Sequence, residues 1–235
     1  MHATDESASS ARPVPHETPR VLVFFDYACQ FCYLDWPRFK RLRQDHEADL
    51  VLVPFELRPQ LPGEGVPVSE LGTPHSEHVE QHIRRMAKEA GQDLVIPDFV
   101  PNTHYALGLG EYARDQGNRI HEAVHEAIFS AYSGKGLDIG REDVLLDIAS
   151  AAGLDREEAA KVFAEGRYDD RLHQFYHLAV SLGITATPSA LVCNELLIGS
   201  RPYEVLEDAL ERCLVTEHNI AAHLAETVDP AAAES

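Results

Sequence analysis

Cys29 and Cys32 are separated by two residues and stand between a strongly apolar segment and an amphipathic one. The apolar segment, residues 21–25, predicts a buried strand, and the pattern after Cys32 predicts a helix. Unpaired N–H groups and the helix dipole stabilise an anion at a helix start, so a thiolate is favoured at Cys29. Cys32 lies one turn further on and can reach it. This arrangement predicts thiol–disulfide exchange, in which Cys29 forms the mixed disulfide and Cys32 resolves it.

Two other interpretations of the cysteine pair are weaker. A Cys-x-x-Cys motif can supply half of a structural zinc site, but such a site needs four ligands and the chain has no second motif of this kind. The pair can also be a coincidence within a helix. The strand before the motif and the helix after it are typical of redox motifs, so we expect catalysis with no metal and no cofactor.

Thr187 and Pro188 precede a second strand-like segment, residues 189–193. Proline cannot donate to a sheet ladder, so its position marks a strand entrance or an edge. If the Thr187–Pro188 bond is cis, the backbone before it can face an extended peptide bound by β-augmentation. An ordinary trans proline at the start of a strand is the alternative.

Histidines form two further patterns. His121 and His125 belong to a sequence of the zincin type, HEAVH, but the extended metzincin motif is not continued. We interpret this pair as lying on a solvated helix face opposite an apolar stripe. His75, His78 and His82 recur at helical spacing and are interpreted as an exposed helix start rather than a metal site.

Three more residues are candidates for secondary roles. Asp26 lies three residues before Cys29 and is interpreted as a cap of the strand end, with proton acceptance from Cys32 as the alternative. Cys193 and Cys213 fall on predicted buried elements. Because free cysteine behaves as a small buried hydrophobe, we expect both to be structural and unpaired, with a disulfide as the minority interpretation.

The rest of the chain predicts a layered α/β domain. Residues 50–57 predict a second strand, which should run parallel to the first because a helix connects them. Residues 58–74 predict a loop rich in Pro and Gly, and residues 194–195 predict a hairpin turn between two later strands. Helical periodicity predicts five or six inserted helices, at residues 75–91, 103–116, 118–132, 141–152, 156–166 and 169–182, and a last helix opened by Pro202.

Composition restricts the partners and the compartment. The 235 residues include 20 Lys plus Arg and 39 Asp plus Glu, for a formal net charge of −19. This charge disfavours nucleic acid and anionic membrane as partners, and it agrees equally with solubility and with a saline cytoplasm. No apolar run approaches the roughly 20 residues that span a bilayer, and no secretory signal is recognisable, so we expect a cytoplasmic protein.

The chain resembles the DsbA-type thioredoxin superfamily and, more narrowly, its FrnE-like branch. Five segments carry the resemblance in the right order: 25–33 (FDYACQFCY), 54–59 (PFELRP), 101–106 (PNTHYA), 183–189 (GITATPS) and 199–202 (GSRP). The resemblance implies a thioredoxin-like α/β fold with a large helical domain inserted between the βαβ and ββα halves. It also implies the redox roles of Cys29 and Cys32 and a cis bond at Pro188. Gln30 departs from the proline usual in the family, which leaves the direction of the redox reaction open.

These observations define a site and a set of boundaries. The catalytic residues are predicted to be Cys29 and Cys32, with substrate contacts from Gln30, Phe31, Thr187 and Pro188. The predicted domains are a disordered tail (1–20), a thioredoxin-like domain (21–74 and 183–215), an inserted helical domain (75–182) and a C-terminal tail (216–235).

The predicted activity is thiol–disulfide oxidoreductase or isomerase, acting as a monomer or homodimer on protein thiols and disulfides, with glutathione as a further candidate partner. One alternative is a glutathione-dependent enzyme resembling 2-hydroxychromene-2-carboxylate isomerases or kappa-class glutathione transferases. Those relatives typically have Ser near Cys29 and lack a resolving cysteine, so Cys32 favours the first reading. A partner-binding module with a redox switch is the third hypothesis.

Overall fold

The computed structural model describes residues 18–71 and 76–228. The strands are β1 (Arg20–Phe25), β2 (Asp49–Pro54), β3 (Val66–Pro67), β4 (Phe99–Val100), β5 (Ser189–Val192) and β6 (Glu195–Ile198). The α-helices are α1 (Gln30–His46), α2 (Glu77–Ala90), α3 (His104–Asp115), α4 (Asn118–Phe129), α5 (Glu142–Ala151), α6 (Arg156–Glu165), α7 (Asp169–Ser181) and α8 (Tyr203–Val228). Val68–Leu71 forms a 3-10 helix and Ser130–Gly134 a π-helical segment.

Four strands form one mixed sheet in the order β2-β1-β5-β6. β2 runs parallel to β1, as predicted for strands joined by a helix, and β5 and β6 run antiparallel to their neighbours. Phe24 pairs with Ser189, the first residue of β5. This register places the residues just before β5 beside the end of β1, where the cysteine motif begins.

β1 is covered on both faces, because a different core cluster packs against each face of the sheet. Successive side chains of a strand point to opposite faces. Val21, Val23 and Phe25 therefore join the larger core cluster, whereas Phe24 packs in a second cluster with Ala179 of α7. The continuous apolar segment that predicted a doubly buried strand is explained by this position.

Helices α2 to α7 lie between β2 and β5 in the chain, and several of them share the main core with the sheet. Phe25 and Tyr27 belong to the same buried cluster as Leu107 of α3 and Phe129 of α4. The core is therefore continuous between the sheet and these helices. The division into a thioredoxin-like and a helical domain stays a prediction.

The predicted order of elements is confirmed, but two boundaries were wrong. β2 ends at Pro54 rather than Leu57, because the Leu57 N–H donates to the Asp26 carboxylate instead of a strand partner. The hairpin turn consists of Cys193 and Asn194 rather than Asn194 and Glu195. Val192 pairs with Glu195, and Cys193 takes the turn conformation with a φ of 51°.

Other differences lie in the loops and at the end of the chain. The predicted loop at 58–74 contains β3, which pairs with β4. α8 continues to Val228, where the sequence predicts a tail from residue 216; Ala221, Ala222 and Leu224 are strong helix formers. The predicted tails at 1–17 and 229–235, and His75, lie outside the described residues. No helix in the described part of the chain is both long and apolar enough to cross a membrane.

Candidate active site

The cysteine motif lies at the turn from β1 into α1. The Asp26 carbonyl accepts a hydrogen bond from the Cys29 N–H at 3.0 Å, which closes the turn. Cys29 is the N-cap residue of α1, with an extended backbone, and its carbonyl accepts from the Cys32 N–H at 3.0 Å. The motif therefore occupies the positive end of a 17-residue helix.

The two thiols of the motif differ in exposure and in acidity. Both are free, but Cys29 is partly exposed and Cys32 is buried. Hydrogen bonding by the Cys32 side chain is the largest influence on Cys29 and lowers its pKa, against the opposing effect of burial. Burial, followed by the hydrogen bond to Cys29, raises the pKa of Cys32 well above its ordinary value. One sulfur therefore ionises readily while the other retains its proton.

The Thr187–Pro188 peptide bond is cis and lies beside Cys29. The Cys29 thiol donates a hydrogen bond to the Thr187 carbonyl at 3.2 Å. The Thr187 hydroxyl is buried and has no hydrogen-bond partner among the residues that the structure describes. Ionisation of Cys29 removes the thiol donor, so the Thr187 carbonyl becomes free to accept an N–H group from another chain.

Asp26 is a buried carboxyl at the base of the site, with 1% of its surface exposed. Oδ1 accepts from the Ala28 N–H at 2.8 Å, and Oδ2 accepts from the Leu57 N–H at 2.7 Å. The Thr103 hydroxyl donates to Oδ2 at 3.4 Å. Burial is the largest influence on the acid and raises the pKa of Asp26 to about 6, although these hydrogen bonds oppose the shift. The capping interpretation is confirmed, and the raised pKa also suits a proton acceptor near neutral pH.

Glu56 and His104 lie behind Asp26 and were missed by sequence reasoning. Glu56 adds a negative charge that raises the pKa of Asp26, and its Oε2 lies 3.2 Å from His104 Nδ1. Both residues fall in segments that carry the family resemblance, 54–59 and 101–106. That resemblance was the available signal, but nothing in the segments indicated that they meet in the fold.

The residues between the two cysteines make different contacts. Gln30 is buried, and its side-chain amide donates to the Val95 carbonyl at 2.9 Å, which ties the start of α1 to the loop after α2. Phe31 is partly buried against a small core cluster that α1 and α2 share. Gln30 therefore uses its amide inside the protein, and Phe31 is the more accessible of the two residues.

The prediction that His121 and His125 lie on a solvated face is wrong. Both are buried, and the His125 Nδ1 lies 3.2 Å from the Tyr27 hydroxyl. The His125 ring packs edge-on against the rings of Phe25 and Trp36. Burial lowers the pKa of His125 well below its ordinary value, so the ring is neutral and part of the core.

Metal ligation finds no support in this region or elsewhere in the described part of the chain. No group of three or more His, Cys, Asp or Glu side chains could hold an ion within it. His78 and His82 are exposed on α2, as predicted.

The expectation that Cys193 and Cys213 are unpaired is also wrong. They form a disulfide, with their Cα atoms 6.0 Å apart. Cys193 lies in the turn between β5 and β6, and Cys213 lies on α8. The bond joins the hairpin to the last helix, a contact that the spacing of 20 residues could not reveal.

A mixed sheet with a cysteine pair at the first helix and a cis-proline beside it defines a thioredoxin-like protein. The chain belongs to the DSBA-like thioredoxin domain family, which matches residues 20–211. The predicted superfamily and fold class are thereby confirmed.

The chain is also similar to individual proteins. It is 26% identical over 196 residues to the uncharacterized protein YwbO of Bacillus subtilis (strain 168), covering 82% of this chain and 96% of that protein. It is 25% identical to a probable DsbA oxidoreductase of Streptomyces coelicolor, with a TM-score of 0.75 and coverage of 83% and 89%. A 2-hydroxychromene-2-carboxylate isomerase structure shares the fold at 20% identity, with a TM-score of 0.69 and coverage of 86% and 98%.

Proposed function

We propose that this protein is a thiol–disulfide oxidoreductase that acts through Cys29 and Cys32. The observation that carries the proposal is the asymmetry of the pair. Cys29 is accessible, lies at a helix N-terminus and has a lowered pKa, whereas Cys32 is buried one turn away with a raised pKa. A dithiol enzyme needs this division between an attacking and a resolving sulfur.

The reaction proceeds in two exchanges. The Cys29 thiolate attacks one sulfur of a substrate disulfide, the substrate S–S bond breaks, and the leaving substrate thiolate takes a proton from solvent. Cys32 then transfers its proton to Asp26 and attacks the Cys29 sulfur, which releases the second substrate thiolate. The substrate gains two electrons and the cysteine pair loses them. An external thiol, with glutathione as one candidate, reduces the pair again; the reverse sequence oxidises a substrate dithiol.

Asp26 is suited to the proton transfer by burial and by position. The Asp26 backbone lowers the pKa of Cys32, against the larger effect of burial. Its carboxyl has a pKa of about 6, so at neutral pH it is mostly ionised and yet basic enough to take a proton. The Thr187 carbonyl beside Cys29 supplies a backbone acceptor for an extended protein substrate.

The glutathione-dependent isomerase or transferase is the weaker proposal. Its support is the fold shared with the isomerase structure, and fold similarity at this level does not specify chemistry. Cys32 argues against it, since a resolving thiol would displace a ligand held on Cys29. The cytoplasm stays the expected compartment for the catalytic pair, but the Cys193–Cys213 disulfide does not favour it, because structural disulfides are rare in reducing compartments.

The experiment is trapping of the mixed disulfide with Cys32→Ser. This variant should accumulate a covalent adduct with a disulfide substrate such as insulin, because nothing resolves the bond to Cys29. Cys29→Ser should form no adduct and should not reduce insulin. Peptides that contain Cys193 and Cys213 serve as the internal control and should carry no adduct. Full activity of Cys29→Ser would contradict the mechanism.

To test the glutathione-dependent alternative, the wild-type protein and the two cysteine variants are assayed with glutathione and a small-molecule isomerase substrate. Isomerisation that depends on glutathione and survives in Cys32→Ser would favour it. Disulfide reduction that requires both cysteines would favour the oxidoreductase.

A further inference from the structure

Two pairs of consecutive residues meet around Asp26. Glu56 and Leu57 follow β2, while Thr103 and His104 begin α3. Leu57 and Thr103 each donate a hydrogen bond to Asp26 Oδ2, at 2.7 and 3.4 Å. The other member of each pair, Glu56 and His104, bind one another at 3.2 Å. The Asp26 carboxyl is thus linked to the Glu56–His104 pair, because each member of that pair is adjacent in sequence to a residue that donates to Asp26.

His104 lies between two carboxylates. Its Nδ1 faces Glu56, and its Nε2 lies 3.0 Å from Oδ1 of Asp169 on α7. The hydrogen bond to Glu56 is the largest cause that raises the pKa of His104, to about 9. At neutral pH the ring is an imidazolium that donates from both nitrogens.

Several titratable groups face Asp26 from the surrounding elements. They are Cys29 at the N-cap of α1, Cys32 on α1, Tyr132 on the π-helical segment and Glu56 after β2. Glu56 is the one whose charge raises the pKa of Asp26, because a nearby negative charge opposes ionisation of a carboxyl. A cation held against Glu56 offsets part of this repulsion.

We propose that His104 is a positioning residue for proton transfer, because its positive charge offsets Glu56 and keeps Asp26 ionised and ready to take the proton of Cys32. The inference rests on the proposed function and adds to it a residue that does not touch the reacting sulfurs. It also means that α3 and α7, which belong to the helical region, set the charge balance of the redox site.

The first test is a carbon-13 NMR titration of side-chain carboxyls in the reduced full-length protein, with Asp26→Asn to assign the signal. His104→Gln should raise the titration midpoint of Asp26 by roughly half a unit to one unit, the size expected for the loss of a nearby unit charge on a partly exposed ring. Glu56→Gln should lower the midpoint. No upward shift in His104→Gln would overturn the proposal.

The two substitutions together test whether His104 acts through Glu56. In the Glu56→Gln background, His104→Gln should shift the midpoint by less than half as much as it does in the wild-type background. An undiminished shift would show that His104 acts on Asp26 directly, and it would overturn the proposal that His104 acts by offsetting Glu56. His46→Gln is the matched control, because His46 also binds a glutamate, Glu207, at 3.0 Å but lies at the far end of α1. It should leave the midpoint unchanged.

The second test measures the resolving step itself. The rate at which Cys32 releases substrate from the mixed disulfide, followed by stopped flow against pH, should have its inflection displaced upward in His104→Gln by the same amount as the NMR midpoint. An unmoved inflection would overturn the role in proton transfer. If His104→Gln does not fold, Glu56→Gln removes the charge that His104 offsets. It should displace the inflection downward, and an unmoved inflection would also overturn the proposal.

The NMR titration does not require turnover. A wild-type protein that fails to cycle its cysteine pair would therefore refute the proposed function, whereas an Asp26 midpoint indifferent to His104 would refute only the present inference.

Discussion

The two cysteine pairs of this protein lie at opposite ends of β5. Cys29 and Cys32 lie by the cis peptide bond that precedes the strand, and their sulfurs are free. Cys193 follows the last residue of the strand and is bonded to Cys213. The first pair spans one helical turn within a single element, whereas the second joins a hairpin turn to a separate helix.

The difference shows that surroundings, rather than the presence of two thiols, decide the role of a cysteine pair. The first pair has helix amides, an accessible sulfur and a buried carboxyl with a raised pKa of about 6 beside it. The second pair ties together two elements of the fold across 20 residues of sequence. The proposed chemistry therefore belongs to the first pair, and we expect the second to stabilise the fold.

The largest expected effect concerns the Cys29–Cys32 pair and tests whether it carries the chemistry. Cys29→Ser should lower the rate of insulin reduction by roughly 1,000-fold or more, because a serine hydroxyl is not ionised at neutral pH and cannot form a mixed disulfide. The thermal midpoint should change little, since the side chain is partly exposed. Enzyme assays beside calorimetry measure both. A large loss of stability with little loss of rate would reverse the assignment.

Removing the second pair tests the other half. Cys193→Ala combined with Cys213→Ala should lower the free energy of unfolding by about 3 kcal/mol, the loop-entropy value for a crosslink across 20 residues. The rate of insulin reduction by the remaining folded protein should stay near that of the wild type. Denaturant titration and a thiol count check the two statements. A loss of turnover equal to that of Cys29→Ser would show that the second pair takes part in the redox cycle.

The acid beside the reactive pair gives the prediction for pH. Burial raises the pKa of Asp26 from its ordinary value of 3.8 to about 6. Because the folded state holds this proton more tightly, its stabilising effect is fully present below pH 4 and is lost as the pH rises toward 6. The change is on the order of 3 kcal/mol. Asp26→Asn should lack this part of the pH dependence in urea titrations. If the stability of the two proteins depended on pH in the same way, the pKa of Asp26 would not be raised in the folded state.

The smallest effect concerns the tether of the reactive pair. Gln30→Ala removes the hydrogen bond to the Val95 carbonyl and should cost about 1 kcal/mol of stability. Gln81→Ala, in which the lost amide contacts exposed Glu77 one turn away, is the matched control and should cost less. Denaturant titration of the two variants measures how much more the buried contact of Gln30 stabilises the protein than the exposed contact of Gln81. Equal effects would mean that its contact contributes nothing beyond that of a surface pair.

The sequence was sufficient wherever the relevant interactions are local. The apolar segment at 21–25, the helical periodicity after Cys32 and the Gly and Pro residues between helices predict the elements, because backbone geometry imposes periods of two and 3.6 residues on side chains. The position of Cys29 at a helix start followed from the same patterns, and so did its expected acidity.

The errors concern side chains that meet partners distant in sequence. His125 has the spacing of a zincin histidine but packs against Phe25, Trp36 and Tyr27, which lie about a hundred residues earlier. Its burial could not be inferred from the apolar stripe of α4, because the buried side of that helix includes His121 and His125 beside the apolar residues, while Arg119 and Ala123 are exposed. Cys193 and Cys213 appeared as ordinary buried residues until the hairpin turn was seen to face α8.

The amino-acid sequence by itself determined the order of strands and helices, the location of the cysteine motif and the family resemblance, since each depends on neighbours along the chain. Only the tertiary structure decided which carboxyl, imidazole and carbonyl surround the two sulfurs. Asp26, Glu56 and His104 come from three separate segments, and their charges act on one another through space, over distances that the chain order does not encode.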